Sequence, residues 1–109
     1  MLRHEDRNGF RVVALRGEYD LANASDVEAA VIVASEGDTP VVLDLSATDY
    51  IDSSVLSVFV RQRRALGERL RFVVPLEGSV RRIFEITGLQ TVFDLSASFD
   101  EAIAAWAER

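Results

Sequence analysis

The feature that most constrains the fold is the alternation of short apolar runs with longer segments whose apolar residues recur at helical spacing. Residues 10–17, 41–45 and 72–75 are such runs, and their length and composition are typical of strands buried on both faces of a sheet. Residues 22–36 and 54–66 lie between these runs and carry apolar residues on one helical face. Strands that alternate with helices favour a largely parallel sheet covered by helices.

The two ends of this pattern add further elements. Asn8-Gly9 is a strong hairpin signal, so residues 2–7 are predicted to form a polar edge strand paired with the next strand. Three more elements follow the last buried strand: a helix from about 80 to 87 capped by Ser79, a strand at 91–93 and a helix at 99–108. We therefore predict one α/β domain over residues 1–109, with a mixed, mostly parallel sheet of four to five strands and about four helices.

Composition excludes several classes of function. The 109 residues include no cysteine and a single histidine, His4, so disulfides, thiolate chemistry and histidine metal clusters are excluded. The formal net charge of −6 argues against direct binding of nucleic acid. No apolar run approaches the roughly 18 residues of a membrane span, and the first residues lack the apolar stretch of a signal peptide. We expect a cytoplasmic protein with no cofactor and no metal.

Catalytic motifs are also missing from the sequence. There is no nucleophile elbow, no phosphate-binding loop and no dinucleotide-binding turn. His4 is predicted to lie on an edge strand, where it would not serve a serine nucleophile as a base. The sequence therefore predicts a protein that acts by binding another protein and not as an enzyme.

The informative segment runs from the strand at 41–45 to the start of the next helix at Asp52-Ser53-Ser54. Asp and Ser before an apolar helix are ordinary N-caps, which accounts for these residues by structure alone. The functional interpretation is that a serine in the first helical turn is accessible to a kinase. Its phosphate would meet unpaired backbone N–H groups and the positive end of the helix.

Four segments, in the same order along almost the whole chain, resemble the STAS domain family of anti-sigma-factor antagonists and sulphate-transporter tails. These segments are Gly17-Glu18-Tyr19-Asp20 before an alanine-rich helix, Val41 to Ser46, Tyr50-Ile51-Asp52-Ser53-Ser54, and Ser79 to Leu89. The third of them resembles the Asp-Ser-Ser/Thr-Gly signature of the family. The resemblance implies a STAS-like fold and a binding module that sequesters an anti-sigma factor.

In the antagonist branch, the second hydroxyl residue of the signature is phosphorylated by the anti-sigma factor that the domain binds. The resemblance places this phosphorylation site at Ser54. It also implies a partner-binding surface that comprises Asp20, Asp52, Ser53, Ser54 and Val55, and a partner with serine kinase activity. Phosphorylation would then switch the antagonist off, because the phosphorylated form releases the anti-sigma factor.

One departure from the family leaves an alternative open. The family usually has Gly directly after the acceptor, where this chain has Val55. The branched side chain is expected to lie beside the hydroxyl, where it would crowd a kinase. The alternative is a STAS scaffold that is not phosphorylated, or an accessory subunit of a regulatory or transport complex.

A group of arginines between positions 61 and 71 allows two interpretations. Cations near the C-terminus of a helix favour its dipole, and solvated arginines are common there. The second interpretation is a contact with an acidic surface of a partner. The sequence favours the first.

Overall fold

The computed structural model describes all 109 residues and contains six strands and five α-helices. The strands are β1 (Leu2–Arg7), β2 (Phe10–Leu15), β3 (Gly17–Tyr19), β4 (Val41–Asp44), β5 (Thr48–Ile51) and β6 (Leu70–Val73). The helices are α1 (Ala24–Ala34), α2 (Ser53–Leu66), α3 (Ser79–Thr87), α4 (Leu89–Phe93) and α5 (Phe99–Ala107). None of these helices is both long and apolar enough to cross a membrane. The predicted α/β architecture is confirmed.

Four strands form the main sheet, in the order β1-β2-β4-β6. β1 is antiparallel to β2, whereas β2, β4 and β6 are mutually parallel. The predicted hairpin turn is present, because Asn8 and Gly9 adopt the positive φ angles of 52° and 82° that a two-residue turn requires. The short strands β3 and β5 form a separate parallel pair beyond the carboxyl ends of the main strands. This pair carries the chain into α1 and α2.

Two apolar clusters lie on opposite faces of the sheet. The larger has 22 buried residues and packs α1, α2, α3 and α4 against one face. Four phenylalanines, Phe59, Phe72, Phe84 and Phe93, contact one another within it. On the other face, α5 packs a smaller cluster of six buried residues. Both faces of the central strands are therefore covered, as their continuous apolar sequence predicts.

The strand predicted at 91–93 is wrong, because these residues belong to the short helix α4. Gly88 adopts a left-handed conformation with φ of 76°, which ends α3 and turns the chain directly into α4. The turn places Phe93 against Phe72, with ring centroids 4.7 Å apart. Pairing with β6 occurs later, at a single parallel bridge between Val73 and Ser96. Burial of Phe93 therefore overrides the strand propensity of its neighbours.

The arginines between positions 61 and 71 bear out the favoured interpretation only in part. Arg63 and Arg64 lie in the last turn of α2, and Arg61 and Arg64 are exposed, whereas the other three are not. Arg61 pairs with Glu28 of α1 at 3.0 Å, and this contact lowers the pKa of the Glu28 carboxyl. Arg63 donates to the carbonyls of Leu70 and Phe93. Further along the chain, Arg69 donates to three carbonyls of the loop after α1. The guanidinium groups of Arg63 and Arg69 therefore satisfy backbone acceptors, whereas that of Arg61 pairs with a carboxylate.

Arg71 differs from its neighbours because it is only 6% exposed and its side chain makes no hydrogen bond or ion pair, so that its Nε is a buried donor without an acceptor. Its guanidinium lies over the ring of Trp106, 5.4 Å from the centroid, and burial lowers its pKa. We expect Arg71→Met to raise the free energy of unfolding by about 1 kcal/mol, since a buried unpaired charge is removed and its volume is kept.

Urea denaturation of the Arg71→Met variant measures this effect. The exposed Arg64 on α2 provides the matched control, and Arg64→Met should change the stability by less than about 0.5 kcal/mol. A clear loss of stability in Arg71→Met would contradict the prediction, because it would mean that the guanidinium contributes more through Trp106 than its burial costs.

Candidate functional site

Asp52 organises the start of α2. Its Oδ1 accepts hydrogen bonds from the backbone N–H groups of Ser54 and Val55, at 2.9 and 3.2 Å. Its Oδ2 accepts from the N–H of Leu21, 3.1 Å away in the loop before α1. A single carboxylate thus caps α2 and fixes the loop after β3 beside it. The predicted N-cap role of this aspartate is confirmed.

Three serines occupy the first turn and a half of α2, and their hydroxyl groups differ. The Ser57 hydroxyl donates to the carbonyl of Ser53 at 3.0 Å, as expected for a helical serine bonded to the preceding turn. The hydroxyl groups of Ser53 and Ser54 make no hydrogen bond within the chain. Ser53 is exposed and Ser54 is half-buried. Ser54 is therefore accessible, and its oxygen is not held by another group.

The loop between β3 and α1 lies against this helix start. Asp20 is exposed, and its carboxylate accepts from the N–H of Ala22 at 2.9 Å. Asn23 directly precedes α1, but its side chain accepts from the N–H of Asp20 at 2.8 Å and does not cap the helix. The bond between Leu21 and Asp52 brings Asp20 to the same end of the molecule as Ser54.

The start of α3 joins the site from the other side. The N-cap of α3 is Gly78, and Ser79 is the first helical residue. The prediction that Ser79 caps this helix is wrong, because its hydroxyl donates to the carbonyl of Asp49 in β5, at 2.8 Å. Ser79 therefore holds the loop after β6 next to the strand that leads into α2.

Val55 does not lie on the surface, although the family resemblance implied that it belongs to the partner-binding residues. Its side chain is fully buried in the main core. The helix directs it inward while the hydroxyl groups of Ser53 and Ser54 point away, since consecutive helical residues diverge by about 100°. The expected crowding of the serine by this side chain is therefore absent, and a partner would contact only the backbone of Val55.

Exposed apolar side chains surround the helix start, and sequence analysis did not select them. Leu21 is 78% exposed, Leu76 is 72% exposed and Tyr50 is 45% exposed. Each belongs to one of the segments that the bonds above bring together: the loop before α1, the loop before α3, and β5. The available signal was an apolar residue inside a polar turn, as in Asp20-Leu21-Ala22. Exposed apolar groups rimmed by acids are typical of a protein-binding surface.

The side chains of the site suit recognition more than metal binding. No group of histidine, aspartate and glutamate side chains in the structure is arranged to hold a metal ion. The only histidine, His4, lies on β1, whereas Ser54 lies on α2. The arrangement presents an accessible hydroxyl, carboxylates and apolar side chains on a fixed backbone, which suits recognition by another protein.

Replacing Asp52 by alanine should lower the free energy of unfolding by about 1–2 kcal/mol, because three backbone N–H groups lose their acceptor. Urea denaturation gives the loss of stability, and amide hydrogen exchange should show faster exchange at Leu21 and Ser54. Asp49→Ala is the matched control, since the exposed Asp49 side chain makes no hydrogen bond. Equal stability of both variants would show that the cap contributes nothing.

The sequence of this chain matches one family of known proteins. Residues 2–102 match the family model of the STAS domain. The chain is 33% identical over 100 residues to the anti-sigma-F factor antagonist RsfB of Mycobacterium tuberculosis, covering 90% of this chain and 82% of the relative. It is 26% identical over 98 residues to an anti-sigma-B factor antagonist of Staphylococcus epidermidis, covering 87% of this chain and 88% of that one.

A solved structure agrees with these relatives. The crystal structure of an anti-sigma factor antagonist from Mycobacterium paratuberculosis is 30% identical to this chain and superposes with a TM-score of 0.87. The match covers 96% of this chain and 92% of that one. The family model and the relatives span nearly the whole α/β fold, including the start of α2. The chain therefore belongs to the STAS domain family.

Proposed function

We propose that this chain is an anti-sigma-factor antagonist, which binds an anti-sigma factor through the start of α2 and releases it when Ser54 is phosphorylated. One observation carries the proposal: Ser54 lies in the first turn of α2, half-exposed and with its hydroxyl unbonded, in a chain whose relatives are named as such antagonists. In the unphosphorylated state the bound anti-sigma factor would be unable to hold its sigma factor.

The composition of the surface defines the partner that it fits. Acidic side chains at Glu18, Asp20 and Asp49 are exposed around the apolar side chains of Leu21, Tyr50 and Leu76. No basic side chain lies between residues 17 and 60, so the charge of these segments is not neutralised locally. A partner surface with apolar pockets bordered by arginine or lysine would be complementary, and opposite charge would speed the encounter.

Asp52 explains how a phosphate on Ser54 would act. The expectation that a phosphate would meet unpaired backbone N–H groups is wrong for two of them, because the N–H groups of Ser54 and Val55 already donate to the Asp52 carboxylate. The added group, with a charge of about −1.5 to −2 at pH 7, would lie beside an existing anion at the helix end. It would remain in solvent in the free domain. In a complex it would be buried beside Asp52, where the basic side chains of the partner are already matched by the exposed acids Asp20 and Asp49.

The same geometry favours a serine kinase that is part of the partner itself. Binding the surface around Ser54 would hold the unbonded hydroxyl oxygen near the γ-phosphate of a nucleotide on the partner. The oxygen would attack phosphorus, the bond to the nucleoside diphosphate would break, and the hydroxyl proton would pass to a base on the kinase. This chain would supply only the oxygen and the binding surface.

The proposal is tested by titrating the chain with the anti-sigma factors encoded in the same genome, first without and then with ATP and Mg²⁺. We expect one of them to bind, to transfer phosphate to Ser54 and then to dissociate. Tight binding with no phosphorylation would support the alternative, a STAS scaffold that is not switched. Failure of every anti-sigma factor to bind would refute the assignment as an antagonist.

A further inference from the structure

The outer edge of β1 has no partner strand. At the end of the β1–β2 ladder, the N–H of Arg16 donates to the carbonyl of Met1 at 3.1 Å, and the terminal ammonium of Met1 donates to the carbonyl of Arg16. Since bonded and non-bonded pairs alternate along an antiparallel ladder, the odd-numbered residues of β1 direct their backbone groups at β2. Leu2, His4 and Asp6 therefore turn their N–H and C=O groups toward the open edge.

We propose that this edge pairs with the β1 edge of a second copy of the chain, antiparallel and about a two-fold axis at His4. In this register His4 of one copy lies opposite His4 of the other. Leu2 of each copy lies opposite Asp6 of the other copy. All three of these positions turn their backbone groups outward, so the ladder would contain about six N–H···O bonds, two for each bonded pair. The two sheets would then form one continuous sheet.

The charges on β1 select this register. Arg3 and Glu5 are on the same face of the sheet and line one groove with Ala14 and Asp44, beyond the part of that face that α5 covers. Neither side chain forms an ion pair or hydrogen bond within the chain. With the axis at His4, Arg3 of each copy lies directly opposite Glu5 of the other, which makes two favourable pairs.

Neighbouring registers bring like charges together. An axis at Glu5 places Glu5 opposite Glu5 and Arg3 opposite Arg7, and an axis at Arg3 places Arg3 opposite Arg3. Charged side chains on an edge strand usually prevent pairing. Here they are complementary to a second copy in one register and repulsive in the two adjacent ones. The sequence of β1 therefore specifies its own partner strand.

On the face of the sheet that α1 covers, pairing would add an apolar contact close to the axis at His4. Val33 on α1 is 53% exposed and lines a shallow groove with His4, Asp6 and Arg11. An axis at His4 would place the second strand along the open side of this groove. Pairing would thus cover Val33 of both copies.

This dimer is independent of the proposed function. Because the β1 strands would be antiparallel, the carboxyl ends of the two sets of parallel strands would point in opposite directions. The two α2 helices would then begin at opposite ends of the joined sheet, and each Ser54 would remain available to its own partner. The expected assembly has two binding sites that do not obstruct each other.

The test is sedimentation equilibrium of the wild type, Arg3→Glu, Glu5→Arg and an equal mixture of these two variants. The wild type should dimerise with increasing concentration. Each single variant should dimerise at least about tenfold more weakly, because two attractive pairs become repulsive. The mixture should recover dimerisation of wild-type strength, since one copy would then carry acids at both positions and face a copy that carries arginines at both.

Charge reversals on α3 provide the controls. Arg82→Glu and Glu85→Arg change the net charge in the same two directions at exposed positions remote from β1, and they should dimerise like the wild type. Unchanged melting temperatures would show that the β1 variants fold. A wild type that stays monomeric at every concentration would overturn the proposal. A dimer that is unaffected by both β1 reversals, or a mixture that does not recover, would also overturn it.

Discussion

Ser54→Asp is expected to weaken binding of the anti-sigma factor by about a hundredfold or more, while the melting temperature stays nearly unchanged. The aspartate would place a carboxylate in the first turn of α2, next to the Asp52 carboxylate that already accepts the N–H of Ser54. In the free domain the positive end of the helix offsets part of the repulsion and water screens the rest. In the complex this charge would lose its water, while the basic side chains of the partner are already matched by the exposed acids around the site.

The size of the effect follows from that desolvation. Burying an unpaired charge costs several kcal/mol even after the surroundings relax, and each 1.4 kcal/mol is a factor of ten in affinity. Ser54→Ala should bind nearly as tightly as the unphosphorylated wild type, losing at most a cap or hydroxyl contact worth about 1 kcal/mol. It should also remain bound in the presence of ATP, since the acceptor oxygen is gone.

Ser53→Ala and Ser57→Ala are the matched controls in the same helical turn. Both serines are exposed, and the Ser57 hydroxyl is engaged with the Ser53 carbonyl, so we expect both variants to bind and to be phosphorylated at Ser54. Isothermal titration calorimetry gives the affinities, and mass spectrometry of the ATP-treated complex locates the phosphate. Wild-type affinity in Ser54→Asp, or a phosphate on Ser53 or Ser57, would show that the switch does not run through Ser54.

The sequence allowed the backbone of this site to be anticipated. Asp52 was identified as a helix cap from its position before an apolar helical pattern, and the structure confirms that role. Local rules were sufficient because the cap involves residues two and three positions apart. The same carboxylate also accepts from the N–H of Leu21, which is 31 positions away in the sequence. No pattern of neighbouring residues predicts a contact over that separation. The joining of the two loops therefore became visible only in three dimensions.

The direction of side chains was harder to predict than the elements that carry them. Val55 was expected beside the acceptor serine, but the phase of α2 places it in the core. Leu21, Tyr50 and Leu76 were not selected because apolar residues in the sequence are interpreted first as core. Whether an apolar residue is buried depends on which loops meet at the carboxyl ends of the strands, and that arrangement is a property of the whole fold.

The error at 91–93 has a related cause. Thr91, Val92 and Phe93 favour strands individually, and a strand would have continued the alternating pattern. Gly88 permits the left-handed turn that starts α4 instead, and this turn brings Phe93 into the aromatic cluster of the main core. Tertiary packing thus determines the conformation of residues 91–93, because so short a segment is not fixed by its own strand propensity.

A substitution in the cluster of four phenylalanines should have a large effect on stability. Phe72→Ala is expected to lower the free energy of unfolding by about 3–5 kcal/mol. Phe72 is fully buried in β6, and its ring contacts those of Phe59, Phe84 and Phe93, with centroids between 4.7 and 6.4 Å away. These rings join β6 to α2, α3 and α4, so the cavity left by alanine would lie where four elements meet and could not collapse without moving them.

A chain of this length has a total stability of roughly 5–15 kcal/mol, so the Phe72→Ala variant should be largely unfolded well below the wild-type denaturation midpoint in urea. Phe72→Leu is the matched control and should lose only about 1–1.5 kcal/mol, because it keeps most of the buried volume. Phe10→Ala provides a second comparison, since Phe10 is buried in the smaller cluster under α5, where its loss leaves the four-ring cluster intact. Similar losses for Phe72→Ala and Phe72→Leu would contradict the cavity argument, because they would show that the core closes around the smaller residue. A loss several times larger in the alanine variant than in the leucine variant would support the cavity argument, in which the contact between Phe72 and Phe59 helps to hold α2 against the sheet.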